Sequence, residues 1–158
     1  MVKTKKIAFV IASLFAGIVS NAQVINSWAD KIGSTLSDDS RAIAQDLNGN
    51  IYIAGSFQGT TDFDPSSAVY TVTSGGGDDA FISKYDANGN FLSVYTFSNN
   101  LYCKIFGLAV DNNNDVIVTG GYSGTVDFDP GVGTSIYTAG SSGTNIFRPC
   151  VSAVGIQF

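Results

Sequence analysis

The sequence contains no histidine and no glutamate, and its only guanidinium groups belong to Arg41 and Arg148. Without histidine, Ser-His-Asp and Cys-His catalytic groups and all His-ligated metal sites are excluded. Two aspartates can still form the carboxylate pair of a glycosidase, but nearly every Asp cluster lies in a turn-like repeat. We therefore predict a protein that is not an enzyme, with no catalytic residues, no cofactor and no metal.

Basic residues are also few. Eight Lys and Arg stand against thirteen acidic residues, all of them Asp, for a net charge of −5. Three of the lysines lie within the first six residues, and without them five basic residues face thirteen Asp, a net charge of −8. Nucleic acids and anionic membrane surfaces attract clustered Lys and Arg. We therefore expect neither as a partner.

The first 22 residues have the pattern of an export signal. Three lysines precede an apolar run of thirteen residues (7–19), and Ser20 and Ala22 place small residues at the −3 and −1 positions of a cleavage site before Gln23. The apolar run is shorter than the roughly 20 residues that span a bilayer. We predict a cleaved signal peptide at 1–22, an extracellular or cell-surface protein, and no stable membrane insertion after cleavage.

The remainder of the chain repeats itself at an offset of 65 residues. Residues 46–65 read DLNGNIYIAGSFQGTTDFDP and residues 111–130 read DNNNDVIVTGGYSGTVDFDP, with nine of twenty positions identical. A fixed period indicates stacked units, each of which packs against its neighbours. The abundance of Asp, Asn and Gly beside Val, Ile, Phe and Tyr predicts short strands joined by tight turns and almost no helix.

Each repeat resolves into two hairpins. The main strands predicted for the first repeat are 42–45, 51–57, 80–85 and 91–97, with a short additional strand at 69–73. Asn-Gly pairs between the strands favour hairpin turns because both residues accept positive φ. Both faces of 51–54 and 91–95 are largely apolar, which predicts a sheet covered on both sides. Four-stranded antiparallel sheets of this kind are the blades of β-propellers; a small β-sandwich or β-solenoid is the alternative.

Several segments resemble the bacterial β-propeller repeat family known as SBBP. The resemblance covers roughly 28–147 and rests on residues 46–55, on the Asp-Phe-Asp-Pro segments ending at Pro65 and Pro130, and on residues 79–92. It implies a blade and a secreted or cell-surface location. It implies neither an enzyme nor a fixed ligand.

The chain departs from that family in length and at its end. A propeller has four to eight blades, whereas this sequence holds about two repeats. In the second, Pro149 falls inside the expected third strand and removes a ladder donor. We assign the segments as signal peptide 1–22, repeats 23–147 (about 23–97 and 98–147, with a first outer strand at 24–29) and divergent tail 148–158. A truncated or frame-shifted product and a natural short protein both fit.

Three turns of the form Asp-x-Asn-x-Asn/Asp, which begin at Asp46, Asp86 and Asp111, place oxygens at alternate positions as calcium loops do. An EF-hand loop needs an acidic residue at position twelve, and the sequence has Phe or Tyr there. We therefore interpret these segments as hairpin turns.

The two Asp-Phe-Asp-Pro segments are stronger candidates for a cation-binding site than these turns. In an extended segment, Asp62 and Asp64 share one face and Phe63 takes the other, and the second repeat copies this with Asp127 and Asp129. The phenyl ring would pin the loop to the blade while the carboxylates face water. A cation bridging the carboxylates would relieve their repulsion; solvated carboxylates in a turn are the alternative.

Cysteine is scarce, with only Cys103 and Cys150. After export both would meet an oxidising environment, but their spacing does not show whether they pair. Alignment of the repeats places Asp38 opposite Cys103, so the repeat itself needs no Cys there.

These patterns predict a secreted non-enzymatic repeat protein that serves as a surface or interaction module and binds protein or glycan. The alternatives are a fragment of a larger secreted propeller protein without independent activity and, third, a fragment of a propeller hydrolase. Two blades cannot close round an axis, so the faces carrying Ile53, Phe91, Tyr95 and Val118 should stay partly bare. Bare faces and open blade edges favour self-association.

Overall fold

The computed structural model describes residues 30–99, 101–129, 132–140, 145–147 and 150–151, and their regular structure is all β-strand. The predicted signal peptide, the strand predicted at 24–29 and most of the tail lie outside the described residues. The strands are β1 (Asp38–Gln45), β2 (Ile51–Phe57), β3 (Thr60–Asp62), β4 (Thr71–Thr73), β5 (Asp79–Tyr85), β6 (Phe91–Phe97), β7 (Tyr102–Val110), β8 (Val116–Ser123), β9 (Thr125–Asp127), β10 (Ile136–Thr138), β11 (Asn145–Phe147) and β12 (Cys150–Val151).

The first blade is a four-stranded antiparallel sheet in the order β1-β2-β5-β6. The predicted bounds of β2 and β6 are those observed, and β1 and β5 begin earlier than predicted. This sheet confirms the expected all-β fold built from four-stranded antiparallel blades.

The second blade repeats this arrangement with an interrupted third strand. β7 pairs with one side of β8, and β11 and β12 pair with the other. Phe147 lies opposite Gly120 and Cys150 lies opposite Ile117, so the register is the same on both sides of Pro149. Cys150 and Val151 therefore pair with β8, whereas the sequence suggested that no strand continues there. In the described part of the chain no strand pairs outside β11 and β12, so these two strands form the edge of the sheet.

A short hairpin extends from each blade after its second strand. We call the β3–β4 hairpin with its loop the first arm and the β9–β10 hairpin with its loop the second arm. The hydroxyls of Thr60 and Thr73 lie 2.8 Å apart in the first arm, and those of Thr125 and Thr138 lie 3.0 Å apart in the second. The sequence predicted only the returning strand of the first arm.

The two blades pack face to face round an interblade core. The first blade contributes Tyr52, Ala54, Ala80 and Ile82 to this core, and the second contributes Ile105, Val116 and Val118, all fully buried. The expectation that the face of Val118 would be bare is wrong, because this face is the one that packs against the first blade. Ile53 and Phe91 are half-buried, as expected of a partly bare face. Tyr95 packs on the interblade core together with Val118, so the expectation is wrong for its face too.

Candidate functional site

The three Asp-x-Asn turns are held by their own hydrogen bonds. In the first turn, Oδ1 of Asp46 accepts the amides of Asn48 and Asn50 at 2.9 Å each, and Oδ2 accepts the side-chain amide of Asn50 at 2.8 Å. The second turn reproduces this round Asp86 with Asn88 and Asn90. The Asp carboxylate thus takes the place of a cation as the centre of the turn, as the hairpin interpretation requires.

The pKa values of these carboxylates reflect the same contacts. Hydrogen bonds from the side chain and amide of Asn90 lower the pKa of Asp86. For Asp46, burial raises the pKa, but hydrogen bonds from Asn50 and Asn48 outweigh burial and leave the pKa below its ordinary value. Both groups therefore favour the ionised form at neutral pH.

The third turn is a variant of the other two. The amides of Asn113 and Asp115 donate to Oδ1 of Asp111 at 2.8 Å each, but Asp115 replaces the asparagine whose side chain completes the other turns. Asn114 takes the position of the turn glycine with φ of 66°, a left-handed conformation that asparagine tolerates.

Each arm is anchored to its blade by the phenylalanine of its Asp-Phe-Asp-Pro segment. The Phe63 ring is fully buried, 5.4 Å from the ring of Phe57 and 5.1 Å from that of Phe81. In the second arm, the Phe128 ring lies 5.3 Å from that of Tyr122 in the same edge-to-face geometry as Phe63 with Phe57. The predicted pinning of the loop by phenylalanine is confirmed.

The first aspartate of each Asp-Phe-Asp-Pro segment accepts hydrogen bonds from backbone amides of its own arm. Oδ1 of Asp62 accepts the amides of Asp64 and Tyr70 at 3.1 and 2.9 Å. Oδ1 of Asp127 accepts those of Asp129 and Ser135 at 2.9 and 2.7 Å, and these bonds, led by that from Ser135, lower the pKa of Asp127. These two carboxylates bond their own loop rather than only facing water.

The geometry of the arms does not support the alternative that a cation bridges their carboxylates. Oδ1 of Asp64 accepts the amide of Ser66 at 2.9 Å, which adds another local turn. Within the described ranges, no three acidic or cysteine side chains cluster closely enough to hold a metal ion. The absence of a bound metal remains a prediction.

The arms also carry a large share of the exposed apolar side chains. The most exposed ones on the arms are Val69, Tyr70, Val132, Ile136 and Tyr137. The rings of the two tyrosines are not free, because Tyr70 lies 5.0 Å from Phe91 and Tyr137 lies 6.0 Å from Phe128. The arms therefore present apolar and aromatic surface on a fixed backbone.

The sequence did not reveal a polar seam that joins the two blades. Asp79 is fully buried, and its carboxylate accepts the amides of Gly75 at 2.8 Å and Asn99 at 3.1 Å. The side-chain amide of Asn99 then donates to the carbonyls of Tyr102 and Ser123 in the second blade, at 3.1 and 2.8 Å. These contacts fix the position of one blade on the other.

The strand register keeps the two cysteines apart. Cys103 lies opposite Tyr122 on one side of β8, and Cys150 lies opposite Ile117 on the other. The five-residue offset alone separates them by roughly 16 Å along the strand, far beyond the Cα–Cα reach of a disulfide. Cys103 is buried, and burial raises the pKa of its thiol to about 12.

Comparison with known proteins agrees with this architecture. Residues 28–64 match the family described as SBBP, beta-propeller repeat. The chain is also similar to an uncharacterized WD repeat-containing protein of Acanthamoeba polyphaga mimivirus, with 30% identity over 121 residues that cover 68% of this chain and 9% of the relative. The chain thus matches only a small part of the relative's length. No solved structure matches the chain significantly.

Proposed function

We propose that this chain, which carries a β-propeller repeat of the SBBP family, is a secreted non-enzymatic surface or interaction module that binds protein or glycan through its two arms. The observation that carries the proposal is the exposure of Tyr70, Ile136 and Tyr137 on arms that buried phenylalanines hold in place.

Anchored arms are suited to binding because their geometry is fixed before a ligand arrives. A half-packed tyrosine offers a large apolar surface and a hydroxyl with little side-chain entropy to lose. The arms share a scaffold but differ at their tips, which read Ser66-Ser67-Ala68 in one and Gly131-Val132-Gly133 in the other. A constant frame with variable tips is typical of loops that carry recognition.

Removal of the arm aromatics should weaken binding without unfolding the protein. We expect the double variant Tyr70→Ser and Tyr137→Ser to lose at least tenfold in affinity for whichever probe the wild type binds on a printed glycan array or on an array of cell-surface proteins. Leu47→Ser is the matched control, because Leu47 is exposed in a turn outside the arms. Equal binding by the double variant and the wild type would contradict the role of the arms. The two arrays separate glycan from protein ligands.

Export is supported by the basic start, the apolar run and the small residues before Gln23. We expect protein recovered from the medium to begin at Gln23, as N-terminal sequencing or intact mass would show. Met1 on exported protein would contradict the cleavage. In the described residues, no helix is long and apolar enough to cross a membrane.

The second candidate is a fragment of a larger secreted propeller protein. It is favoured by the 9% share of the WD repeat-containing relative that this chain covers. Further blades encoded downstream of Phe158 in another frame would establish it.

A further inference from the structure

The interblade interface within this chain provides a template for a second interface. We call the side of the first blade that faces away from the second blade the leading face; it includes Ile43 and Ile53, which pair across β1 and β2. We call the side of the second blade that faces away from the first blade the trailing face; it includes Ile117, Thr119 and Ile146.

The repeat offset relates the leading face to a face that is already packed. Ile43 and Ile53 correspond to Leu108 and Val118 of the second blade, which pair in the same way across β7 and β8. Val118 is fully buried and Leu108 packs on the interblade core. Ile43 is 70% exposed and lies with Ile53 beside a groove of about 300 Å³. The leading face is thus apolar where its equivalent is covered by a blade.

The trailing face shows the complementary difference. Thr119 and Ile146 take the strand positions of Ala54 and Ala80, which are fully buried against the second blade. Thr119 is exposed, and Ile146 is 89% exposed. The trailing face therefore repeats the surface that packs on a leading-type face within the chain.

From these two faces we propose that copies of this chain associate head to tail, with the trailing face of one copy packed on the leading face of the next. The contact continues the interblade interface, so its occupant is a second copy of the chain. Such a heterologous contact produces a ring when its rotation closes. With two blades in each copy, two to four copies complete a propeller of four to eight blades.

The assembly can be tested on the whole chain recovered after export, by size-exclusion chromatography with light scattering. We expect a single species of two, three or four times the monomer mass. Ile43→Asp on the leading face and Ile146→Asp on the trailing face should each give monomers, and Leu47→Asp, in an exposed turn, should leave the mass unchanged. Thr119→Arg is a second trailing-face variant in case Ile146→Asp fails to fold, with circular dichroism as the check of folding.

A mixture of the two variants provides the sharpest test. Ile43→Asp retains an intact trailing face and Ile146→Asp retains an intact leading face, so an equimolar mixture should form a dimer that contains one copy of each. A monomeric wild type, an open series of masses, or a mixture that stays monomeric would overturn the proposal. Ile43 and Ile146 lie outside the arms, so ligand binding by the monomeric variants distinguishes loss of assembly from loss of ligand binding.

Discussion

Replacing Phe63 with alanine should lower the free energy of unfolding by about 3–5 kcal/mol. The Phe63 ring is fully buried between those of Phe57 and Phe81. Its removal loses the transfer free energy of the ring and leaves a cavity beneath the first arm. The rings that remain belong to strands β2 and β5, which cannot collapse into the gap without moving the sheet.

Urea denaturation of the variant and the wild type measures this loss. Phe106→Ala is the matched control, because Phe106 is half exposed on β7 and its removal leaves no enclosed cavity. We expect the control to cost less than about 1 kcal/mol. Equal losses for the two variants would show that Phe63 does not anchor the arm in solution.

The strands with regular patterns were predictable from the sequence, and those with bulges were predictable only in part. β2 and β6 begin and end where the sequence placed them. β1 starts several residues before its predicted position, because a bulge shifts its pairing between Ser40 and Ala42. β7 has the equivalent bulge between Ile105 and Gly107. An extra residue breaks the alternation of side chains, so the pattern beyond each bulge no longer resembles a strand.

The arms illustrate a different limit. The sequence indicated that Phe63 and Phe128 would pin their loops, because an extended Asp-Phe-Asp segment separates its side chains onto two faces. It did not indicate β3 or β9, because three residues are too short to show an alternation. It also left open what Asp62 does, since the amide of Tyr70 that it binds is eight residues away.

No local sequence pattern predicted the polar seam that Asp79 and Asn99 form between the blades. Asn99 meets its partners Asp79 and Ser123 at separations of 20 and 24 residues. The repeat does not mark the position either, because Ser34 stands where Asn99 would have its counterpart in the first blade. The Ser34 hydroxyl makes the equivalent contacts with a shorter side chain: it accepts the amide of Leu36 and donates to the carbonyl of Gln58, at 2.9 Å each. Asn99 does the same with the amide of Leu101 and the carbonyl of Ser123.

Replacing Gly55 with alanine should destabilise the first blade by about 3 kcal/mol. Gly55 lies in β2 opposite Ser40, next to the bulge in β1. A Cβ at this position would overlap the backbone carbonyl of Asp39, so β1 would have to move. The φ of Gly55 is not in the left-handed region, and alanine tolerates its conformation. The whole loss should therefore come from the overlap.

Gly140→Ala is the matched control for this prediction. A Cβ at Gly140 would meet nothing within 4 Å, and its φ is likewise outside the left-handed region. We expect a change within about 0.5 kcal/mol for the control, and a lower denaturation midpoint for Gly55→Ala in the same urea titration. Gly77→Ala, whose Cβ would overlap the carbonyl of Leu101, should resemble Gly55→Ala. If Gly55→Ala were as stable as Gly140→Ala, the Asp39 carbonyl in β1 would not approach Gly55 as closely in solution as it does in this structure.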